Sequence, residues 1–313
     1  MAVKRFRLKR LILLHSLMKS AVLMKERALK KLRTLQNDDR TAEIVVAPIS
    51  LDSVWEDRPG SCERAALSIK EVVRRGARLI LLPEMFSTGF SMNTSVSAED
   101  PADSPTLNFM KEMAAEHNVA IIGGYCVQDR DGRGRNVCAA IDHRGEVAGI
   151  YHKNHLFPVA GEPDHFSPGN GRSIVNILGM RIAMYICYDL RFPQDFRYRL
   201  SIPSAPDDAF MGIRRDVPMP PYDVITVIAS WPASRDHHWR TLLISRAIEN
   251  QAWVIACNRR GQGGGLLYCG SSMVIDPLGN IVAEDQKYRP WFIASLNIGM
   301  VDEIRGQFPI QEF

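Results

Sequence analysis

The sequence predicts an α/β protein, and three observations lead there. From residue 41 onward, short β-rich apolar runs alternate with amphipathic segments. Several of those runs, such as RLILLPE and RIAMYIC, are continuously apolar, as strands buried on both faces are. A chain of 313 residues with 46% hydrophobic and 24% charged residues has ordinary globular composition and can bury a full core.

Taken in order, EIVVAPI (43–49) reads as the first strand, and CERAALSIKEVVRRG (62–76) as a helix closed by a glycine. RLILLPE (78–84) is a buried strand, LNFMKEMAAEHN (107–118) a helix, and VAIIGGY (119–125) a strand. NVCAAID (136–142) and EVAGIYHK (146–153) are two strands around an HRG turn. RIAMYIC (181–187), DVITVIA (223–229) and AWVIACN (252–258) are further buried strands, with HHWRTLLISRAIENQ (237–251) a helix between the last two. SSMVIDPLGNIVAE (271–284) closes as a hairpin over Pro277–Asn280. The pattern makes one domain over 41–313 without an internal linker. A Pro-rich insertion at about 201–223, holding five of the chain's 18 prolines, reads as a surface loop.

Charge is distributed unevenly. Residues 1–40 hold twelve Lys/Arg against Glu26, Asp38 and Asp39, a balance of +9, which leaves about −5 for the other 273 residues. A basic stripe for nucleic acid is therefore not expected in the body, and no apolar run is long enough for a membrane span. The basic head reads either as an extension or as an organelle-targeting segment for a mitochondrion or plastid. Six cysteines without a CxxC pair, most inside apolar segments, fit a reducing compartment such as the cytoplasm and no structural zinc. His152, His155, His237 and His238 lack HxH or HExxH spacing, so no metal site is expected. GQGGG (261–265) follows a strand without GxGxxG or a lysine, and reads as a flexible turn and not a phosphate cradle.

Three apolar strands end in a reactive side chain: LILLPE in Glu84, GIYHK in Lys153, AMYIC in Cys187. Taken singly, each has a bland reading: a surface acid, a solvated hairpin lysine, a core thiol. Their coincidence at strand ends, where α/β proteins place their sites, favours function.

With LLPEMFSTGF, YHKNHLF and CYDLRFP in this order, the sequence resembles the nitrilase, or carbon–nitrogen hydrolase, superfamily over roughly residues 43–297. SWP (230–232), RAIENQ, CNRRG and GSSMVIDPLG add to the likeness. HLFPVAGEPDHFSPGN, HHWRTLLISRAIENQ and FPIQEF look most like the bacterial-type ω-amidases. The basic head and the 201–223 segment have no counterpart in that pattern.

The resemblance implies a four-layer α-β-β-α sandwich, a homodimer or higher homo-oligomer, and cofactor-free hydrolysis of a small-molecule amide. It implies a Glu84–Lys153–Cys187 triad with Glu162 as a second glutamate near Lys153. An amide carbon is a poor electrophile, so a soft nucleophile must be driven onto it while the O⁻ is held and the leaving nitrogen protonated. Cys187 is the expected nucleophile, Glu84 the base, and Lys153 with the Tyr188 backbone N–H the oxyanion donors. Arg191, Trp231 and Arg259 are the expected substrate-binding residues. Arg191, four residues after the cysteine, suits a substrate carboxylate, with pairing to Asp189 or Asp195 as its structural alternative. The expected substrates are 2-oxoglutaramate and 2-oxosuccinamate. N-carbamoyl amino acids and other small amides are the alternative within the same superfamily; a catalytically silent binding protein is the alternative from another class. CYD in place of CWE disfavours a nitrile.

Overall fold

The continuous apolar runs become strands covered on both faces, and they sort into two sheets. The computed structural model describes residues 43–197, 222–286, 288–308 and 310. The head and all but the last two residues of the Pro-rich segment lie outside the described residues. The first sheet comprises β1 (Glu43–Pro48), β2 (Leu79–Leu81), β3 (Ala98–Glu99), β4 (Ala120–Gln128), β5 (Gly134–Ile141), β6 (Val147–His152) and the late strand β15 (Ala294–Asn297). Their order is β15-β1-β2-β4-β5-β6, with β3 on β4. The second contains β7 (Ile174–Ile177), β8 (Met180–Ile186), β9 (Val224–Ala229), β10 (Trp253–Asn258), β13 (Met273–Ile275) and β14 (Ile281–Glu284), in the order β14-β13-β10-β9-β8-β7. β1, β2 and β4 run parallel, as do β8, β9 and β10.

The period of two decides which side chain enters which core. Val46, Leu79, Leu81, Ala120, Ile122, Cys138 and Ala140 face the second sheet and join its residues in the larger cluster. Their neighbours Ala47, Ile80, Leu82, Ile121, Ala139 and Ile141 turn outward under helices. Each buried aliphatic side chain contributes about 1.5–3 kcal/mol relative to exposure, so a one-residue slip of register is strongly opposed.

The outer helices are α1 (Arg58–Val73) and, after the one-turn α2 (Thr94–Ser97), α3 (Pro105–His117), which present Ala65, Ile69 and Val72, and Met110, Met113 and Ala114. Both begin earlier than the apolar pattern predicts, because caps set the start: Asp57 accepts from the Gly60 N–H at 3.0 Å and Ser104 Oγ from the Leu107 N–H at 3.2 Å. After the one-turn α4 (Glu162–His165), α5 (Asp236–Asn250) covers the second sheet with Trp239, Leu243 and Ala247. Finally α6 (Gly299–Gln307) adds Val301. The layers are thus helix, sheet, sheet, helix. The glycine-rich GQGGG, predicted as a flexible turn, instead contributes to a hairpin of β11 (Arg260–Gly263) and β12 (Leu266–Cys269), turning at Gly264 and Gly265, both at positive φ. No helix among the described residues is long and apolar enough to cross a membrane.

Candidate active site

Glu84 lies just beyond β2, where the chain leaves the sheet through Pro83. There β4 still grips it: the Gly124 N–H donates to the Pro83 carbonyl at 3.1 Å and the Phe86 N–H to the Gly124 carbonyl at 3.0 Å. The approach is so close that a Cβ on Gly124 would stand 2.7 Å from the Glu84 Cα and 2.8 Å from the Met85 nitrogen. From the other sheet, Ser230 follows β9 and fixes the acid twice. Its N–H donates to Glu84 Oε2 at 2.8 Å and its hydroxyl to the Glu84 carbonyl at 3.2 Å.

Lys153 is the first residue after β6 and Glu162 opens α4. Lys153 Nζ donates to Glu84 Oε1 at 2.8 Å and to Glu162 Oε2 and Oε1 at 2.8 and 3.0 Å. The Phe157 N–H reaches Glu162 Oε2 at 2.6 Å. Glu84 and Glu162 are fully buried and Lys153 is 1% exposed, so the surface-acid and solvated-lysine readings do not hold. Burial opposes the charge on Lys153, yet the Glu162 and Glu84 carboxylates more than offset it and hold the ammonium's pKa well above its ordinary value.

Cys187 is the first residue after β8 and has φ +46°, a left-handed conformation that costs a non-glycine residue about 1–3 kcal/mol. It leads into a 3-10 turn, Cys187–Arg191. Asp189 holds that turn from within: it accepts from the Ile186 N–H at 3.0 Å, the His155 N–H at 2.9 Å and the Tyr151 hydroxyl at 2.9 Å. Burial, only partly countered by those two N–H groups, pushes the Asp189 carboxyl up to about 6. Burial and the Glu84 carboxylate also drive the Cys187 thiol well up, against the opposing pull of Lys153. With two carboxylates and one ammonium beside it, a resting thiolate would add a second net negative charge in a buried place. Burial and this charge count both favour the thiol over the thiolate.

A cleft of about 280 Å³ opens onto Cys187, lined by Phe90, Phe157, Tyr188, Arg191, Ser230, Trp231, Pro232 and Arg235. Among the described residues, the lining contains two guanidiniums and no acid. Arg191 lies over the Trp231 ring at 4.8 Å and reaches His238 Nδ1 at 3.3 Å. Its sequence-level alternatives are both engaged elsewhere, Asp189 as above and Asp195 with His155 Nε2 at 2.6 Å. Arg235 stands over Phe157 at 5.6 Å, and its carbonyl receives the Trp231 indole N–H at 2.8 Å. Arg259, by contrast, is fully buried outside the lining. It donates to the Ser53 and Gln262 carbonyls at 3.1 and 3.2 Å and lies over Tyr268.

The sequence model of the carbon–nitrogen hydrolase family matches residues 44–305. The chain belongs to the carbon–nitrogen hydrolase family. Its coarse chemistry is hydrolysis of a carbon–nitrogen bond of the amide type. Among the relatives of this hydrolase, omega-amidase YafV of Escherichia coli (strain K12) is 36% identical over 258 residues, 82% of this chain and 91% of that protein. The 2-oxoglutaramate amidase of Bacillus subtilis is 28% identical over 234 residues, 75% of this chain and 83% of that one. Among solved structures, XC1258 from Xanthomonas campestris, a CN-hydrolase superfamily protein with an arsenic adduct in its active site, superposes with a TM-score of 0.76. It is 29% identical, with 86% of this chain and 96% of that one covered.

Asn136, Phe157 and Arg235 escaped the sequence reading, which met Ser230 only within SWP and Asp189 only as a possible partner of Arg191. Asn136 carried a usable signal, a lone amide heading the apolar run VCAAI. Phe157 acts through its backbone N–H, which no side-chain pattern announces.

Proposed function

We propose that this hydrolase is an ω-amidase, releasing ammonia from the terminal amide of small 2-oxo acids such as 2-oxoglutaramate and 2-oxosuccinamate. The observation that carries the reading is the buried Glu84–Lys153–Glu162 cluster beside a strained, cleft-lining cysteine. As the Cys187 sulfur forms its bond to the amide carbon, its proton passes to Glu84, and the carbonyl electron pair moves onto oxygen. Lys153 Nζ and the Tyr188 N–H receive that oxyanion. Collapse breaks the carbon–nitrogen bond, the nitrogen takes the proton from Glu84 and leaves as ammonia, and a thioester remains. Glu84 then removes a proton from water, which attacks the thioester. The second collapse expels sulfur, which recovers its proton from Glu84. Glu162 balances the charge of Lys153 and fixes its ammonium.

The substrate class follows from the cleft. Two guanidiniums without a carboxylate among the lining residues favour a ligand with an anionic end, and aromatic walls suit a short, flat 2-oxo acid. Arg191, Arg235 and Trp231 are the substrate-binding residues in this reading. Arg259 is left out of this reading, because its guanidinium lies outside the cleft lining and its Nε and Nη2 donate to backbone carbonyls. The names of the YafV and Bacillus subtilis relatives point the same way. Ammonia release from a panel of ω-amides of 2-oxo acids, N-carbamoyl amino acids and nitriles tests it. The highest kcat/KM is expected on the ω-amides; a clear preference for carbamoyl compounds or nitriles would replace the assignment.

A further inference from the structure

We infer that Asn136 is a positioning residue that locks the two active-site carboxylates in their ionised, lysine-bound arrangement. The inference rests on the proposed roles of Glu84 and Glu162. Asn136 sits on β5, and its carbonyl accepts the Lys153 N–H at 2.9 Å, so it is the cross-strand partner of the lysine. Its side chain is directed at the same lysine's two counterions. Asn136 Nδ2 donates to Glu84 Oε1 at 2.8 Å and to Glu162 Oε1 at 3.0 Å. One –NH₂ group thus uses both hydrogens on two acids, each of which also holds Lys153.

The amide oxygen gives the second half of the case. Asn136 is 1% exposed and its Oδ1 is buried with no hydrogen-bond partner. Turning the amide over would aim that oxygen at two carboxylates, so the donor end is fixed by charge. The orphaned oxygen is the cost of this arrangement, and the two charge-assisted hydrogen bonds of the –NH₂ group offset it. What asparagine supplies is a neutral double donor: it links the carboxylates without adding charge.

Among the described residues, the groups facing this cluster are Lys153 just after β6, Cys187 and Asp189 from the turn after β8, Tyr268 from β12 and Cys126 from β4. A donor to a carboxylate favours its charged form, so removing Asn136 Nδ2 makes protonation of the pair easier. A base that must be ionised to accept the Cys187 proton is then lost at a higher pH than in the wild type.

The test is the pH profile of Asn136→Ala and of the near-isosteric Asn136→Asp, measured with whichever amide the wild type hydrolyses. In the alanine variant kcat is expected to fall about tenfold to a hundredfold with KM little changed, and the acid limb of kcat/KM to rise by about one unit. In the aspartate variant, a third carboxylate beside the pair is expected to move the acid limb further. Alkylation of Cys187 by iodoacetamide, read by peptide mass spectrometry against pH, should show the same acid-side shift without any substrate. A folded alanine variant with the wild-type profile, or one whose kcat falls with the acid limb unmoved, overturns the inference. If alanine does not fold, an aspartate variant with the wild-type profile does so. Failure of the underlying site reading would look different: wild-type Cys187 alkylation would follow the ionisation of an isolated thiol alone, with no limb in the carboxylate range.

Discussion

At the scale of single residues, the site works because each charge has a partner that fixes it and one group is left to react. Lys153 is spoken for by two acids, and Asp189 by the backbone of the nucleophile's turn and a tyrosine. Cys187 alone faces the cleft as a buried neutral thiol, 7% exposed. In the proposed reading the cations that meet the substrate are Arg191 and Arg235; among the described residues neither guanidinium donates to a backbone carbonyl, whereas Arg259 Nη2 donates to two. Replacing Arg191 with lysine removes the planar fork and keeps the charge, so KM for 2-oxoglutaramate is expected to rise about tenfold, the worth of one charge-assisted hydrogen bond. Arg235→Met should act in the same direction. Steady-state kinetics on 2-oxoglutaramate and on an uncharged simple amide check both. Equal losses on the two substrates would mean structural damage and no carboxylate contact.

At the scale of elements, the strand ends bring the reactive groups together, and a missing side chain makes room for them. Gly124 on β4 lets the Glu84 backbone lie against it, and the atoms a new Cβ would meet belong mostly to the main chain, which cannot swing aside. Gly124→Ala is therefore expected to cost about 1–3 kcal/mol, read as a lower Tm, and to lower kcat by displacing Glu84. An alanine variant with unchanged Tm and kcat would contradict the claimed close approach. The same elements explain what the sequence reveals. Apolar runs with reactive ends made β2, β6 and β8 legible, and with them Glu84, Lys153 and Cys187 as a group. Helix starts were set by single polar caps, Asp57 and Ser104, outside the apolar pattern. β7, β11, β12 and β15 are only four residues long, and three residues of β12 and two of β15 are exposed, so they are too short to show a period that can be read. Ser230 holds Glu84 across a sequence separation of 146 residues, a contact that only the pairing of the sheets creates.

At the scale of the whole molecule, two sheets share one core and each supplies half of the candidate chemistry: Glu84, Asn136 and Lys153 from the first, Cys187 and Ser230 from the second. All of these residues and both sheets fall within Glu43–Phe313, which forms one compact unit. Deleting residues 1–42 is thus expected to leave kcat/KM within about twofold of the full chain, since every described strand and every candidate site residue is kept. A folded truncation that turns over far more slowly would assign the basic head a part in catalysis. The central claim is that Cys187 attacks the amide carbon, and ammonia release by Cys187→Ser tests it most directly. A hydroxyl changes the volume little but resists deprotonation far more than a thiol. The variant should keep the wild-type circular dichroism and lose about a thousandfold or more in kcat. Undiminished ammonia release from the serine variant would return Cys187 to the role of a core thiol and contradict the account.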